Sequence, residues 1–224
     1  MPTTLPLATI RTQVTIPLRL ADGLATTARA FTFEGLVDGQ EHLALGLGTC
    51  ARTPLRHDAG RPTLVRLHSE CLTGDVLGSE RCDCGPQLRE AVGRLERASG
   101  YLLYLRQEGR GIGLYAKLDA YQLQSEGLDT YAANLALGYG ADERDYAAAA
   151  QMLRALGLRS VRLLSNNPDK ARQLELHGVA VAQHVPTQVH LSAANARYLA
   201  TKAAGGHVLN LVGRDATRSP DRAR

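Results

Sequence analysis

Three of the four cysteines of this 224-residue chain lie within fourteen residues of one another. Cys71, Cys82 and Cys84 fall in the segment SECLTGDVLGSERCDCGPQ, and Cys50 stands twenty-one residues before the first of them. Cysteine thiolates bind zinc, and two cysteines separated by one residue can reach the same ion from a tight turn. The glycine and proline directly after Cys84 predict such a turn. The cluster therefore predicts a zinc site.

The number of zinc ligands depends on residues outside this cluster. Three thiolates leave the fourth position of a tetrahedral zinc ion open, which is typical of catalytic sites. The alternative is a closed structural site whose fourth ligand is Cys50, His68 or His57. The spacing of the cysteines predicts zinc and leaves this choice open.

The thiols are expected to be reduced, because nothing in the sequence directs the chain to an oxidising compartment. The N-terminal segment MPTTLPLATIRTQVTIPLRLADG lacks the charged start and the unbroken apolar core of a secretory signal. No stretch reaches the ~18 consecutive apolar residues of a membrane span. We therefore expect a cytoplasmic protein without a membrane partner, in which clustered thiols bind metal more often than they form disulfides.

The composition predicts a globular protein with one substantial core. Hydrophobic residues make up 44% of the chain, and its length suffices for such a core without help from a metal ion. The net charge of +4 fits either a solvated basic surface or an anionic ligand. A zinc-stabilised nucleic-acid-binding module is a weaker alternative, because only two Phe are present for base stacking and basic residues alternate with acidic ones. We therefore expect no nucleic-acid partner.

The pattern of apolar residues predicts an α+β or mixed α/β fold. Short alternating runs over residues 8–55 predict antiparallel strands, and VRLHS at 65–69 predicts a strand that runs directly into the cysteine cluster. From Gln87 the spacing becomes that of an amphipathic helix, after which helices alternate with apolar strands. This order predicts β-rich N-terminal elements followed by an α/β half. We expect a single domain over residues 1–212 and a disordered basic tail over 213–224.

The polar segment RQEGRGIG at 106–113 follows a predicted strand and precedes a predicted helix. It is neither a Walker loop nor the GxGxxG segment of a dinucleotide fold. Arg106, Glu108 and Arg110 favour contacts with a purine or an oxyanion, and a structural turn with surface charges is an equal alternative.

A second polar segment, SNNPDK at 165–170, has the same position between a strand and a helix. Ser165, Lys170 and the amides at the helix N-terminus could bind a phosphate. The alternative is a capped helix start with Pro168 in its first turn, which is the more common use of such a segment.

Five segments in this order and spacing resemble the GTP cyclohydrolase II family, whose enzymes open riboflavin biosynthesis. They are RLHSECLTGD, RCDCG, RQEGRGIG, DERDY and LLSNNP. The resemblance runs from about residue 66 to about residue 178, and weaker similarity extends through YLATKAAGGHVL at 198–209. The cysteine segment and RQEGRGIG are the parts specific to this family.

The resemblance implies a reaction with GTP as substrate. Water activated by one zinc ion per chain attacks C8 of the guanine ring, the carbon leaves as formate, and pyrophosphate is released. The product is 2,5-diamino-6-hydroxy-4-(5-phosphoribosylamino)pyrimidine. The resemblance also implies Mg2+ on the triphosphate and a homodimer.

The resemblance also assigns roles to individual residues, with the cysteine cluster as the zinc ligands. Asp142 matches the proton acceptor and Arg144 the proposed nucleophile at the α-phosphate, although a guanidinium stays protonated and is better suited to clamp a phosphate. Tyr121 is the candidate for orienting a water molecule or the departing formyl group. The positions that match GTP contacts are Arg66, His68, Ser69, Glu70, Gln87, Glu108, Gly109, Arg110, Thr130, Ser165 and Lys170.

Three departures from the family pattern keep a second hypothesis open. Asp119 stands where relatives usually have arginine, Ala132 stands where an acid is usual, and HLSAANARYL is looser than the asparagine-rich pattern of the family. The second hypothesis is a paralogue of another pathway, which stops at the formylated intermediate or takes a related nucleotide. Because Tyr121 is present, we expect the fully deformylated product.

Overall fold

The computed structural model describes residues 5–52 and 61–209, which form a seven-stranded sheet with helices on both faces. The strands are β1 (Thr9–Arg19), β2 (Ala25–Glu34), β3 (Leu43–Gly46), β4 (Thr63–Ser69), β5 (Gly100–Leu105), β6 (Ser160–Leu164) and β7 (Ala180–Val185). The helices are α1 (Thr49–Arg52), α2 (Leu72–Asp75), α3 (Cys84–Ala98), α4 (Leu114–Ser125), α5 (Thr130–Ala136), α6 (Ala147–Ala155), α7 (Pro168–Leu176) and α8 (Ala196–Ala204), with a 3-10 helix at Glu108–Gly111. The predicted mixed α/β fold class is confirmed.

The strand order is β1-β2-β3-β5-β4-β6-β7. Antiparallel pairing joins β1, β2, β3 and β5, and parallel pairing joins β5, β4, β6 and β7. The sheet thus has the N-terminal antiparallel half and the α/β half that the sequence predicts. After β4 the chain adds β5 on one side and β6 on the other, which makes β4 a topological switch point. In open α/β sheets, the crevice at the carboxyl ends of the strands around such a point is the usual place for a ligand.

The sheet is buried on both faces because its central strands carry apolar residues at successive positions. Leu64 and Leu102 pack on one face against Val92 and Leu95 of α3. The alternate strand residues pack on the other face with buried residues of α6 and α7. Burial of each such side chain contributes about 1.5–3 kcal/mol to folding. This double cover fixes the strand ends that carry the polar segments.

Helix α3 begins at Cys84, three residues before the helix predicted from Gln87. The turn predicted at the cysteines is present over residues 80–83, whereas Gly85 and Pro86, which indicated it, lie in the first turn of the helix that follows. A proline fits there because its missing N–H would have no partner in the helix. A Cβ atom at Gly85 would lie 2.3 Å from the carbonyl oxygen of Gly74, so glycine allows the helix N-terminus to approach α2 closely.

Several short elements lie where the sequence predicts none, namely α1, α2, α5, α8 and the 3-10 helix. Among residues 5–52 and 61–209, no helix is long and apolar enough to cross a bilayer. The predicted tail at 213–224 and His57, one of the alternative zinc ligands, lie outside the described residues.

Candidate active site at the carboxyl ends of the parallel strands

The three clustered cysteines converge at the carboxyl end of β4. Cys71 follows this strand by two residues, Cys82 lies in the turn before α3, and Cys84 is the first residue of α3. Their Sγ atoms lie within 4.8 Å of one another, and those of Cys71 and Cys82 are 3.7 Å apart. A Cβ atom at Gly74 would lie 2.7 Å from the Sγ of Cys82, so a glycine in α2 leaves room for the cluster.

The geometry of the thiols fits a zinc ion. Zn–S bonds of ~2.3 Å in a tetrahedron place neighbouring sulfur atoms about 3.8 Å apart, close to the Cys71–Cys82 separation. In the part of the chain that the structure describes, no further Cys, His, Asp or Glu joins the cluster. Cys50 packs beside the core under the sheet, and the Nε2 atom of His68 pairs with Asp75 at 3.0 Å. Within the described residues, the three thiols are therefore the available ligand set, and His57 is the one alternative ligand that lies outside them.

The thiols cannot ionise independently, because they share hydrogen bonds and burial. Hydrogen bonds with Cys82 and Cys84, together with the charge of Lys117, lower the pKa of the Cys71 thiol. The hydrogen bond with Cys71 in turn raises the pKa of Cys82 to about 11 and raises that of Cys84. The cluster alone favours one thiolate, and a divalent cation is the charge that would favour all three.

We call the depression in front of the cysteines the thiol cleft. It encloses about 700 Å³ and is lined, among others, by Glu70, Cys71, Cys82, Glu108, Gly109, Arg110, Lys117, Tyr121 and Thr130. Beside it lies a second depression of about 560 Å³, the cationic pocket, lined by Arg66, His68, Gln87, Ser165, Asn166, Asn167, Lys170, Thr187 and Leu209. Ser69, Cys84, Arg144, Tyr198, Lys202 and His207 line both and form the wall between them.

Lys117 connects the thiol cleft to the cysteine cluster. Its Nζ atom donates to the Sγ of Cys71 at 3.1 Å, to the Oγ1 of Thr73 at 3.0 Å and to the Oε1 of Glu108 at 2.7 Å. Burial acts to lower the pKa of Lys117, but the hydrogen bond to Glu108 and the charge of Cys71 raise it overall. The other carboxylate oxygen of Glu108 accepts from the N–H of Leu72 at 2.7 Å. Glu108 and Lys117 thus fix the segment that follows Cys71.

The 3-10 helix holds Arg110 in a strained conformation at the rim of the thiol cleft. Its φ is +63°, between Gly109 at +63° and Gly111 at +96°. A residue with a side chain rarely adopts this region, and such strain is concentrated at functional sites. The guanidinium lies 4.3 Å from the centre of the Tyr131 ring, and its buried Nη1 has no hydrogen-bond partner among the described residues. Arg110 therefore has a free donor for a ligand.

The cationic pocket gathers basic side chains from several elements. Arg66 of β4 donates to the carbonyl of Leu164 at 3.0 Å and to Gln87 at 2.8 Å, and its buried Nε has no partner within the described residues. Lys170 of α7 is buried and donates to the carbonyl of Leu67 at 2.7 Å. Burial lowers the pKa of Lys170, and its basic neighbours lower it further. A polyanion would relieve this repulsion.

Ser165 and Asn167 form the edge of the cationic pocket as a capped helix start. The side chain of Asn167 accepts from the N–H of Asp169 at 2.9 Å, and Pro168 is the first residue of α7. The Oγ atom of Ser165 accepts from the N–H of Asn167 at 3.0 Å. The predicted alternative, a capped helix start with Pro168 in its first turn, is therefore confirmed. Ser165 nevertheless lines the cationic pocket.

Arg144 lies at the junction of the two depressions and is held by Asp142. The Nε atom of Arg144 donates to the Oδ1 of Asp142 at 2.8 Å, and its Nη2 donates to the Oδ2. Burial acts to raise the pKa of Asp142, but the hydrogen bonds and the charge of Arg144 lower it overall. Both residues lie in the loop before α6. The alternative of a charged helix start at DERD holds for Asp145 alone, whose Oδ1 accepts from the N–H of Ala147, the first residue of α6, at 2.6 Å.

Sixteen of the seventeen predicted site residues line the thiol cleft or the cationic pocket. Asp142 is the exception, because its carboxylate faces Arg144 and belongs to neither lining. Tyr121 of α4 lines the thiol cleft with its hydroxyl 3.4 Å from the Oγ1 of Thr73. Glu70 pairs with Arg106 at 2.9 Å at the same cleft. The structure thus brings the predicted residues together around one crevice.

The sequence prediction misses several residues that line this crevice, among them the titratable residues Lys117, Tyr198, Lys202 and His207. Burial and the surrounding cations lower the pKa of His207 to about 4, so it is neutral near pH 7. The composition contains a signal for two of these residues, Lys117 and Lys202. Only three of the 26 basic residues are lysines, and all three line the crevice.

A cluster of three thiols beside a cationic pocket, at a switch point of an α/β sheet, defines a candidate enzyme with a metal ion and an anionic ligand. The sequence model of the family described as GTP cyclohydrolase II matches residues 12–186. The chain therefore belongs to the GTP cyclohydrolase II family of enzymes, which confirms the resemblance seen in the sequence.

Relatives in several bacteria agree with this assignment. The GTP cyclohydrolase-2 of Pseudomonas aeruginosa is 53% identical over 194 residues, which are 84% of this chain and 91% of the relative. That of Aliivibrio fischeri is 49% identical over 183 residues, which are 82% of this chain and 89% of the relative. The riboflavin biosynthesis protein RibBA of Bacillus mycoides is 49% identical over 207 residues, which are 92% of this chain and 49% of the relative.

Proposed function

We propose that this enzyme opens the imidazole ring of GTP and releases formate and pyrophosphate, leaving the diaminopyrimidine nucleotide of riboflavin biosynthesis. The observation that carries the proposal is the shared wall between the thiol cleft and the cationic pocket. A single nucleotide can therefore place its base next to the three cysteines and its phosphates next to the buried cations Arg66 and Lys170. Family membership supplies GTP as the substrate.

In this proposal the cationic pocket takes the triphosphate. Arg66 and Lys170 are buried, and Arg66 has an N–H without a partner among the described residues. Arginine binds phosphate through its planar fork, and lysine binds it as a point charge. Arg144 reaches both depressions and is the candidate for the α-phosphate, where Asp142 keeps its guanidinium in place. We retain the role of Asp142 as proton acceptor as part of the proposal.

The thiol cleft takes the guanine ring, with Cys71, Cys82 and Cys84 as the residues that would hold zinc. When bound there, zinc would lower the pKa of a water molecule and polarise the carbon under attack. Glu108 and Lys117 keep the segment after Cys71 in place through their hydrogen bonds. Burial raises the pKa of Tyr121, so its phenol stays protonated at neutral pH and can donate a hydrogen bond.

The paralogue that retains the formyl group is the second candidate, and the positions of two of the three departures speak against it. Asp119 is exposed on α4, Ala132 lies in α5, and neither lines the thiol cleft or the cationic pocket. Tyr121 does line the thiol cleft. These two changes therefore lie away from the proposed chemistry, whereas the third departure, HLSAANARYL, places Tyr198 in the lining of both depressions.

Metal analysis combined with a GTP assay tests the proposal. We expect one zinc ion per chain in the wild type, and we expect Cys82→Ser to lose both the metal and the consumption of GTP. Cys50→Ser is the matched control, because this thiol lies outside the cluster, and it should keep both. Equal loss of zinc from the two variants would mean a closed four-cysteine site and would contradict the proposal.

Mg2+ on the triphosphate, a homodimer and a cytoplasmic location are further parts of the proposal, and they are supported by the family resemblance and by the need to keep the thiols reduced. Light scattering on the purified protein measures the oligomeric state. Titration of GTP turnover with Mg2+ measures the dependence on the second metal ion.

A further inference from the structure

Helix α8 lies beyond residues 12–186, which the family model matches, and yet it forms part of the wall between the two depressions. Tyr198 and Lys202 project from this helix into both of them. The ammonium group of Lys202 lies 4.6 Å from the centre of the Tyr198 ring. The helix is therefore placed to act on the site, although the five family segments lie elsewhere in the chain.

Lys202 makes its ion pair with the residue between two of the cysteines. Its Nζ atom lies 2.6 Å from the Oδ1 of Asp83, whose side chain is completely buried. The other carboxylate oxygen of Asp83 accepts from the Nε2 of Gln87 at 2.5 Å, and Gln87 accepts from Arg66 at 2.8 Å. These hydrogen bonds connect α8 to the cysteine turn, to α3 and to β4.

Loss of the ammonium group would leave the carboxylate of Asp83 buried without an ion pair among the described residues, with only the hydrogen bond from Gln87 and the more distant charge of Arg66. Removal of one partner of a buried pair is strongly destabilising, because the remaining charge is neither solvated nor compensated. The turn between Cys82 and Cys84 is then free to shift, since a movement toward the crevice that Lys202 lines would bring the carboxylate of Asp83 to water. A movement of this turn would spread the sulfur atoms apart.

The choice of lysine at position 202 also points to the site. The chain uses arginine for 23 of its 26 basic residues, and its other two lysines, Lys117 and Lys170, are both buried at the same crevice. An ammonium is a compact point charge, whereas a guanidinium is a wide planar fork. The three lysines thus each place a compact charge at this crevice.

We infer that Lys202 is a positioning residue, which through Asp83 holds the Cys82–Cys84 turn in the geometry that retains the metal ion. Helix α8 is therefore part of the active site. This inference rests on the proposed function in one respect, because it takes the three cysteines as zinc ligands.

The test is the rate at which zinc passes from the full-length protein to an excess of a chromogenic chelator. We expect Lys202→Ala to release zinc about 10–100-fold faster than the wild type, the usual cost of removing a group that orients a metal ligand. Arg197→Ala is the matched control, because it removes a cation of the same helix that contacts the carbonyl of Gly127 instead. The control should release zinc at the wild-type rate. Circular dichroism checks that each variant is folded.

A double-mutant cycle separates positioning from a general loss of stability. Asp83→Asn should also speed zinc release, and Lys202→Ala should add little to it, because the two residues act through one ion pair. Lys202→Arg, which keeps the charge, should restore part of the retention. Fully additive effects would overturn the inference, as would a Lys202→Ala variant that keeps zinc like the wild type. A wild type without zinc would instead overturn the proposed function together with the inference.

Discussion

The ammonium nitrogen of Lys117 lies 3.1 Å from the Sγ of Cys71, a thiol that belongs to a cluster of three. This contact places a positive charge against a sulfur atom that must be a thiolate to bind metal. Lys117 is 46 positions away in the sequence and comes to Cys71 because α4 packs over the segment after β4. The electrostatics of the metal site therefore depend on α4.

Lys117→Ala is expected to shift metal binding to higher pH. The charge of Lys117 contributes to the lowered pKa of Cys71, so its removal raises that pKa and protons compete better with the metal ion. Binding of Co2+ to the metal-free protein, followed by the thiolate-to-cobalt absorption across a pH series, measures the shift. Lys117→Arg keeps the charge and should behave more like the wild type. An unchanged pH midpoint in Lys117→Ala would contradict the role given to this contact.

Arg144→Ala is expected to abolish pyrophosphate release and to leave the metal ion bound, because Arg144 pairs with Asp142 and makes no hydrogen bond with a cysteine among the described residues. Removal of a group that stabilises transition-state charge typically costs about 100–1,000-fold in rate. Arg144→Lys keeps the charge without the planar fork. Substantial activity in Arg144→Lys would favour simple charge stabilisation over a function specific to guanidinium. Pyrophosphate release at the wild-type rate by Arg144→Ala would refute both roles.

Tyr121→Phe is expected to accumulate the formylated nucleotide. The hydroxyl of Tyr121 lines the thiol cleft 3.4 Å from Thr73, and the substitution removes its donor while keeping the ring that packs beside Arg81. Mass spectrometry of the reaction mixture identifies the nucleotide products. The control is Tyr115→Phe, which changes an exposed tyrosine of the same helix and should give the wild-type product. A fully deformylated product from Tyr121→Phe would show that the phenol is not needed to release the formyl group as formate.

Glu90 gives a prediction for stability, because it anchors the segment that leads to α8. Burial acts to raise the pKa of this carboxyl, but hydrogen bonds from His190, the N–H of Gln188 and Arg94 lower it to about 2. A lowered carboxyl pKa stabilises the fold above the ordinary value of 4.5, and this contribution is lost as the pH falls from 4.5 toward 2.

We therefore expect Glu90→Gln to lower the free energy of unfolding by about 1–3 kcal/mol at neutral pH, the usual range for hydrogen bonds to a charged group. The difference between wild type and variant should shrink below about pH 4.5. Urea unfolding over a pH series measures both free energies. A difference that stays constant with pH would show that the charge of Glu90 is not what stabilises this segment.

Much of the fold could be predicted because its elements carry local patterns. The alternating runs before residue 55 form β1, β2 and β3, and the apolar run at 101–105 lies in β5. The start of α3 was missed because glycine and proline usually mark a turn, whereas here Gly85 is needed for a close approach to Gly74. Contacts of this kind arise only when distant segments pack.

Some residues of the candidate site could likewise be predicted from local patterns, and others could not. Local spacing predicts that Cys82 and Cys84 act together, and the family segments name most of the lining. Lys202 comes to Asp83 from 119 positions away, and no periodicity or spacing records that contact. The low number of lysines among the basic residues draws attention to Lys117, Lys170 and Lys202. It does not predict which residues they contact in the fold.

The fate of C8 is the central claim, and it can be followed directly with GTP that carries 13C at this carbon. We expect 13C NMR of the reaction with the zinc-loaded protein to show the label leaving the nucleotide as formate, with one pyrophosphate released for each formate formed. The same reaction with Cys82→Ser should leave the label in GTP. Label that stays in a nucleotide product of the wild-type protein would contradict the account.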